Sequence, residues 1–137
     1  MKTILNNNVI NIDEKSFLRI PAQWLFDPRL EISDFYRLCR LWWRYEFFAS
    51  MALKDNPDAD LTKVFYPSQE KLCELLGFSV SSRPNCSKFL KAMEDCGYIT
   101  RIKGGYRNSE GQPRPRHYIT VVNQTYDFKE KSNNEKT

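Results

Sequence analysis

Histidine is all but missing from this sequence: His117 stands alone among 137 residues. A single imidazole cannot build a histidine-rich metal site. No serine or cysteine lies beside it in a nucleophile–base arrangement, so it reads as a strand residue and not as a catalyst. Cysteine is scarce too. Cys39, Cys73, Cys86 and Cys96 do not follow zinc-ligand spacing. All four fall in helical segments, three on or beside apolar faces, and read as reduced core residues of a cytoplasmic protein. Paired carboxylates at catalytic spacing and a phosphate-binding loop are also missing. The expectation is a protein that is not an enzyme and carries no metal or cofactor. No apolar run approaches the roughly 20 residues of a membrane-spanning helix. The N-terminus lacks the apolar stretch of a signal peptide, so no membrane partner is expected.

Acidic charge is locally thin. Residues 77–122 hold eight Lys and Arg against three Asp and Glu, whereas residues 1–76 hold ten against eleven. The tail from 123 is balanced, so the whole net charge of +4 comes from one segment. Clustered positive charge is the electrostatic footprint of a polyanion binder. A merely solvated basic face has the same composition.

The length fits one domain with tails. Residues 1–16 are polar and read as a flexible segment, 17–122 as the domain, and 123–137 as a polar tail that buries nothing. Phe17 to Ile20 reads as a short strand, followed by a turn-like stretch to Pro28. Ser33 is a candidate N-cap, with Asp34 in the first turn. A long helix then runs to about Leu53, and residues 54–64 form a polar loop. Arg37, Arg40 and Arg44 share one narrow face of this helix, expected to meet solvent. Apolar residues cover well over half of its circumference, more than the stripe of an ordinary surface helix. Two readings follow. The helix is the centre of a small domain, or Phe35, Trp42, Trp43, Tyr45 and Phe47 form an interface with a second copy, since interfaces favour aromatics.

Residues 65–122 are the most informative part. Ser68 after Pro67 caps a helix from Gln69 to Leu76, whose buried edge is Leu72, Leu75 and Leu76, and Gly77 stops it. Ser79 to Ser82 make a turn. Ser82 is placed to cap a further helix, with Pro84 in its first turn. Cys86, Phe89, Leu90 and Met93 recur at i, i+3, i+4 and i+7 and form its core face. Gly97 ends it. Tyr98 to Lys103 alternates as a strand, and so does His117 to Val122. Residues 104–116 between them, rich in Gly, Pro and Arg, read as a loop too long for a tight turn. Two helices joined by a turn, then a strand, a basic loop and a strand, make a winged helix-turn-helix. The fold class is mainly α with a small β-hairpin (α+β).

In that fold the second helix of the pair enters the major groove of duplex DNA by its N-terminal half. The expected DNA-contacting residues are Ser82, Arg83, Asn85, Ser87, Lys88 and Lys91 on that helix, with Ser68 and Gln69 at the start of the one before. Lys103, Arg107, Arg114 and Arg116 on the wing would follow the phosphate backbone. Arg83 at the positive dipole end, and Glu94 and Asp95 at the negative end, have the wrong signs for helix stability. That order makes sense if the helix points its cations at phosphates.

The skeleton Pro67, Ser68, Leu72, Leu76, Gly77, Ser79, Leu90, Gly97, Tyr98 and Ile99 resembles the helix-turn-helix of bacterial winged-helix regulators, with a short insertion at Val80 and Ser81. Phe17 to Pro21 and Asp27 to Leu30, ahead of a long helix, resemble the N-terminal domain of plasmid and phage replication initiators. The resemblance spans residues 17–122. It implies sequence-specific binding of double-stranded DNA by a homodimer, in replication initiation or in transcriptional repression. A winged helix used as a protein-interaction module, through the aromatic first helix, is the alternative.

Overall fold

Local stop signals divide the chain into its elements in the computed structural model, which describes residues 18–122 and the backbone of residues 2–5 and 8–11. Two short strands, β1 (Lys2–Leu5) and β2 (Asn8–Asn11), pair antiparallel with Leu5 opposite Asn8. They lie in the polar segment 1–16, expected to be flexible. The expected strand at Phe17 to Ile20 is not formed at residues 18–20, and Phe17 lies outside the described residues. The stretch after Pro21, expected to be turn-like, contains a short helix α1 (Ala22–Phe26).

The long helix α2 runs Ile32–Asp55. It starts earlier than expected. Glu31, not Ser33, is its N-cap residue, and the Asp34 carboxylate accepts the Glu31 N–H at 3.3 Å. Helix α3 (Gln69–Leu76) begins at Ser68, whose hydroxyl accepts the Lys71 N–H at 3.3 Å. It ends at Gly77 with φ of 80°. There Gly77 N–H reaches Glu74 O and Phe78 N–H reaches Cys73 O, a Schellman closure that satisfies carbonyls the helix leaves open. A single 3-10 turn (Val80–Ser82) leads into helix α4 (Arg83–Asp95). The same closure recurs at its end, with Gly97 N–H on Glu94 O and Tyr98 N–H on Met93 O.

Strands β3 (Ile99–Arg107) and β4 (Pro113–Val121) form an antiparallel hairpin, in register from Ile99 opposite Val121 to Arg107 opposite Pro113. The wing is therefore paired almost to its tip, and the long loop expected over 104–116 is reduced to residues 108–112. Two features explain the difference. Ile119 donates its N–H to Phe65 O at 3.0 Å, away from β3. Pro113 and Pro115 have the same parity, so their missing N–H groups fall where the ladder needs no donor. Gly104 sits beneath an aromatic ring: a Cβ there would lie 2.8 Å from Tyr118 Cε2.

The core joins all these parts. Trp24, Leu38, Leu41, Trp42, Tyr45 and Ala49 meet Leu72, Cys73 and Leu76 of α3, Cys86, Phe89, Leu90 and Met93 of α4, and Ile99, Ile119 and Val121 of the hairpin. All four cysteines are free thiols. Burial pushes Cys86 up to about 12 and Cys39 up to about 11, so both stay protonated. The architecture is mainly helical with one antiparallel wing, an α+β winged helix-turn-helix.

Candidate nucleic-acid interface

Burial of one face of α4 dictates what the other presents. Cys86, Phe89, Leu90 and Met93 are at most 5% exposed. Arg83, Asn85, Ser87, Lys88 and Lys91 are exposed on the remaining surface. Ser87, Lys88, Lys91, Ala92 and Asp95 line an open depression along it. Arg83 and Lys88 can offer paired donors to a guanine edge and Asn85 a donor and an acceptor to adenine. Ser82 precedes the helix, but its side chain does not cap it. The Ser82 hydroxyl instead pairs with that of Ser79 at 2.9 Å.

The acids at the far end of α4 have structural partners. Arg101 of β3 donates to Glu94 at 3.0 Å, which lowers the pKa of Glu94 and ties the helix to the wing. Lys91 and Asp95 form an exposed pair at 3.4 Å, of the kind that contributes about 0–1 kcal/mol. The acidic C-terminal turn read from the sequence as a sign of DNA contact is therefore explained by Arg101 and Lys91 within the chain. Lys91 keeps its place on the exposed face.

On α3, Gln69 is exposed at the first turn, and the Ser68 hydroxyl is committed to its cap. The wing residues divide. Lys103 is opposite His117, and Arg107 is opposite Pro113; by alternation both share the face on which Arg101 meets α4. Arg114 and Arg116 point to the other face. Arg107 donates to Gly111 O at 2.8 Å, and Arg114 to the Gln112 side chain at 2.9 Å. Both partners are neutral, so neither bond cancels an arginine's charge. Arg116 lies 4.1 Å from the ring centroids of both Tyr66 and Tyr106. Neither tyrosine stands out in the sequence, because only the packing of the loop before α3 against the hairpin brings them together.

The aromatic residues of α2 also divide. Trp42 and Tyr45 are 2% and 5% exposed. Trp42 packs edge-on against Trp24 at 5.4 Å, and the Tyr45 hydroxyl donates to Leu61 O at 3.0 Å. Both are consumed by the core of a single subunit, so they cannot serve an interface with a second copy. Phe35 is partly buried against that core. Trp43 is half-buried and Phe47 exposed. The arginine face of α2, expected to meet solvent, is half-buried, and two of its three arginines meet α3. Arg37 donates to Leu76 O at 3.0 Å and lies 4.0 Å from the Phe78 ring. Arg40 donates to Leu75 O at 3.2 Å, and Arg44 covers Phe47 and Phe48.

No described helix is long and apolar enough to cross a membrane. Among the described residues, no three His, Cys, Asp or Glu side chains gather as metal ligands would. No protein-family model matches the chain, and no curated protein matches it. Among solved structures it is similar to one described as the N-terminal domain of a DNA binding protein, at 17% identity over 88% of this chain and 89% of that one, with a TM-score of 0.48.

Proposed function

We propose that this protein binds double-stranded DNA in a sequence-specific manner, in control of replication initiation or transcription for a bacterium, phage or mobile element. It acts in the cytoplasm by binding and not by catalysis. One observation carries the reading. The exposed half of α4 concentrates Arg83, Asn85, Ser87 and Lys88 at a helix N-terminus, beside a paired wing bearing Lys103 and Arg107. Helix groups then read bases, and wing groups hold phosphates.

The test is duplex binding against salt and sequence. Log affinity should fall with log salt at about −0.9 per phosphate neutralised. Changing Asn85→Ala and Lys88→Ala together should erase at least about 30-fold of preference for a site selected from a random pool, since each bidentate base contact contributes about 1–3 kcal/mol. Salt-independent binding, or an unchanged preference in the double variant, would remove α4 as the reading element.

A second reading rests on a different surface. Ile32, Tyr36, Phe47 and Met51 are 89%, 57%, 46% and 51% exposed, and they line one side of α2 with Trp43. This stripe faces away from the core side of the helix. We assign it to a second copy of the chain. A two-fold pair would read half-sites about 34 Å apart or at multiples of that spacing. A protein-interaction module without DNA contact would use the same stripe.

A further inference from the structure

The two faces of the hairpin carry different chemistry. One packs Ile99, Ile119 and Val121 into the core. The register places Ile102, Tyr106, Arg114, Arg116 and Tyr118 on the other. Tyr66, in the loop before α3, completes that outer face: its ring meets Tyr118 edge-on at 5.7 Å, and Arg116 lies between Tyr66 and Tyr106. Tyr66 is 47% exposed and Tyr106 41%. The strand residues of this face include two arginines and no acid. Gly104 keeps β3 low where the Tyr118 ring crosses it. The Tyr118 ring over Gly104 serves the pairing of the wing, but the exposed Tyr106 ring and the arginines beside it exceed what pairing needs, since small polar residues such as Thr100 and Thr120 serve elsewhere on this face.

We propose that this outer face is a platform for an unpaired nucleic-acid strand. Exposed tyrosine rings offer stacking surfaces to bases that have lost their own neighbours. Arg116 covers one side of each ring and adds charge for the phosphates, while both rings stay more than two-fifths exposed. A duplex cannot use such rings, because its bases are already stacked. Positive charge without acid attracts a polyanion and repels a basic surface, and the exposed rings beside it favour a strand of bases over an acidic protein surface. The site lies on the opposite side of the wing from the α4 face and does not rest on the duplex reading.

The full chain, mixed with a fluorescent oligo-thymidine, tests this by anisotropy. Tyr66→Ala and Tyr106→Ala should each weaken binding about 5- to 150-fold, the range for loss of one stacked base. Tyr106→Phe, which keeps the ring, should bind within about twofold of the original, as expected of stacking. Lys88→Ala should lower duplex binding and spare the oligo-thymidine. The proposal is overturned if the unaltered chain does not bind the oligonucleotide, or if Lys88→Ala abolishes both activities. It is equally overturned if the tyrosine variants change only the oligomeric state, which would mark the face as a protein contact. Melting curves verify folding, and Tyr106→Ala, out on the wing, carries the test if Tyr66→Ala unfolds the chain. Should duplex binding fail altogether, the oligo-thymidine result still decides this proposal.

Discussion

Asp27 shows how a single residue ties distant elements together. It reads locally as a turn residue before Pro28. In the fold its carboxylate accepts from Arg29 Nε and Nη2 at 3.0 and 2.8 Å, and from the hydroxyl of Tyr98, 71 residues away. Tyr98 is wholly buried, and burial followed by this bond pushes its hydroxyl up to about 12. Arg29, then Tyr98, hold the Asp27 carboxyl well below the ordinary carboxylate range. The sign follows from linkage. A carboxyl depressed in the folded state stabilises it fully above the unfolded pKa of about 3.9, and that contribution is lost as pH falls toward the folded value. Asp27→Asn keeps an acceptor for Tyr98 and removes the charge. Its melting temperature should fall below that of the parent at pH 7, with the gap closing as pH drops from about 4 to 2. A gap of constant size across that range would show that charge at Asp27 contributes nothing.

At the scale of elements, α2 positions the helix-turn-helix through its arginines. The last carbonyls of α3, at Leu75 and Leu76, receive Arg40 and Arg37. Cations suit that end of a helix, and the bonds satisfy acceptors that α3 cannot satisfy itself. Helical periodicity correctly groups the three arginines on one face. It cannot say that the face meets another helix, because that depends on a chain reversal through residues 56–68. Arg37→Ala should cost about 1–3 kcal/mol in urea unfolding, as expected for a part-buried bond from a charged donor. It should also weaken duplex binding, although Arg37 lies off the proposed reading face. An unchanged urea midpoint would mean that these bonds do not position α3. The wing teaches a related lesson. Gly104, Gly105, Pro113 and Pro115 read as loop residues one by one. They are admitted to strands because the prolines sit at outward positions and Gly104 lies beneath the Tyr118 ring.

For the whole molecule, assembly turns on α2, which is apolar on two sides. One side, through Leu38, Leu41, Trp42, Tyr45 and Ala49, is the core of the domain. The other exposes Tyr36, Phe47 and Met51. Phe47→Asp should leave the melting temperature within a few degrees of the parent. It should convert a dimer to a monomer in sedimentation runs at micromolar concentration. A parent chain that is already monomeric at high micromolar concentration would dismiss the two-fold pair and leave the stripe without its assigned role.

What the sequence determined alone is whatever neighbours along the chain decide. Ser68 and Gly77 bound α3, Gly97 stops α4, and the i, i+3, i+4, i+7 recurrence of Cys86, Phe89, Leu90 and Met93 sets which way Asn85 and Lys88 point. These are consequences of capping and of a 3.6-residue repeat, both complete within a few turns. Tertiary structure decided the rest: which apolar side of α2 is core, what Arg37 and Arg40 hold, how far the wing stays paired, and that Tyr66, Tyr106 and Arg116 stand together. Each depends on groups distant in sequence, whose meeting is set by how the elements pack and not by any residue's own preference.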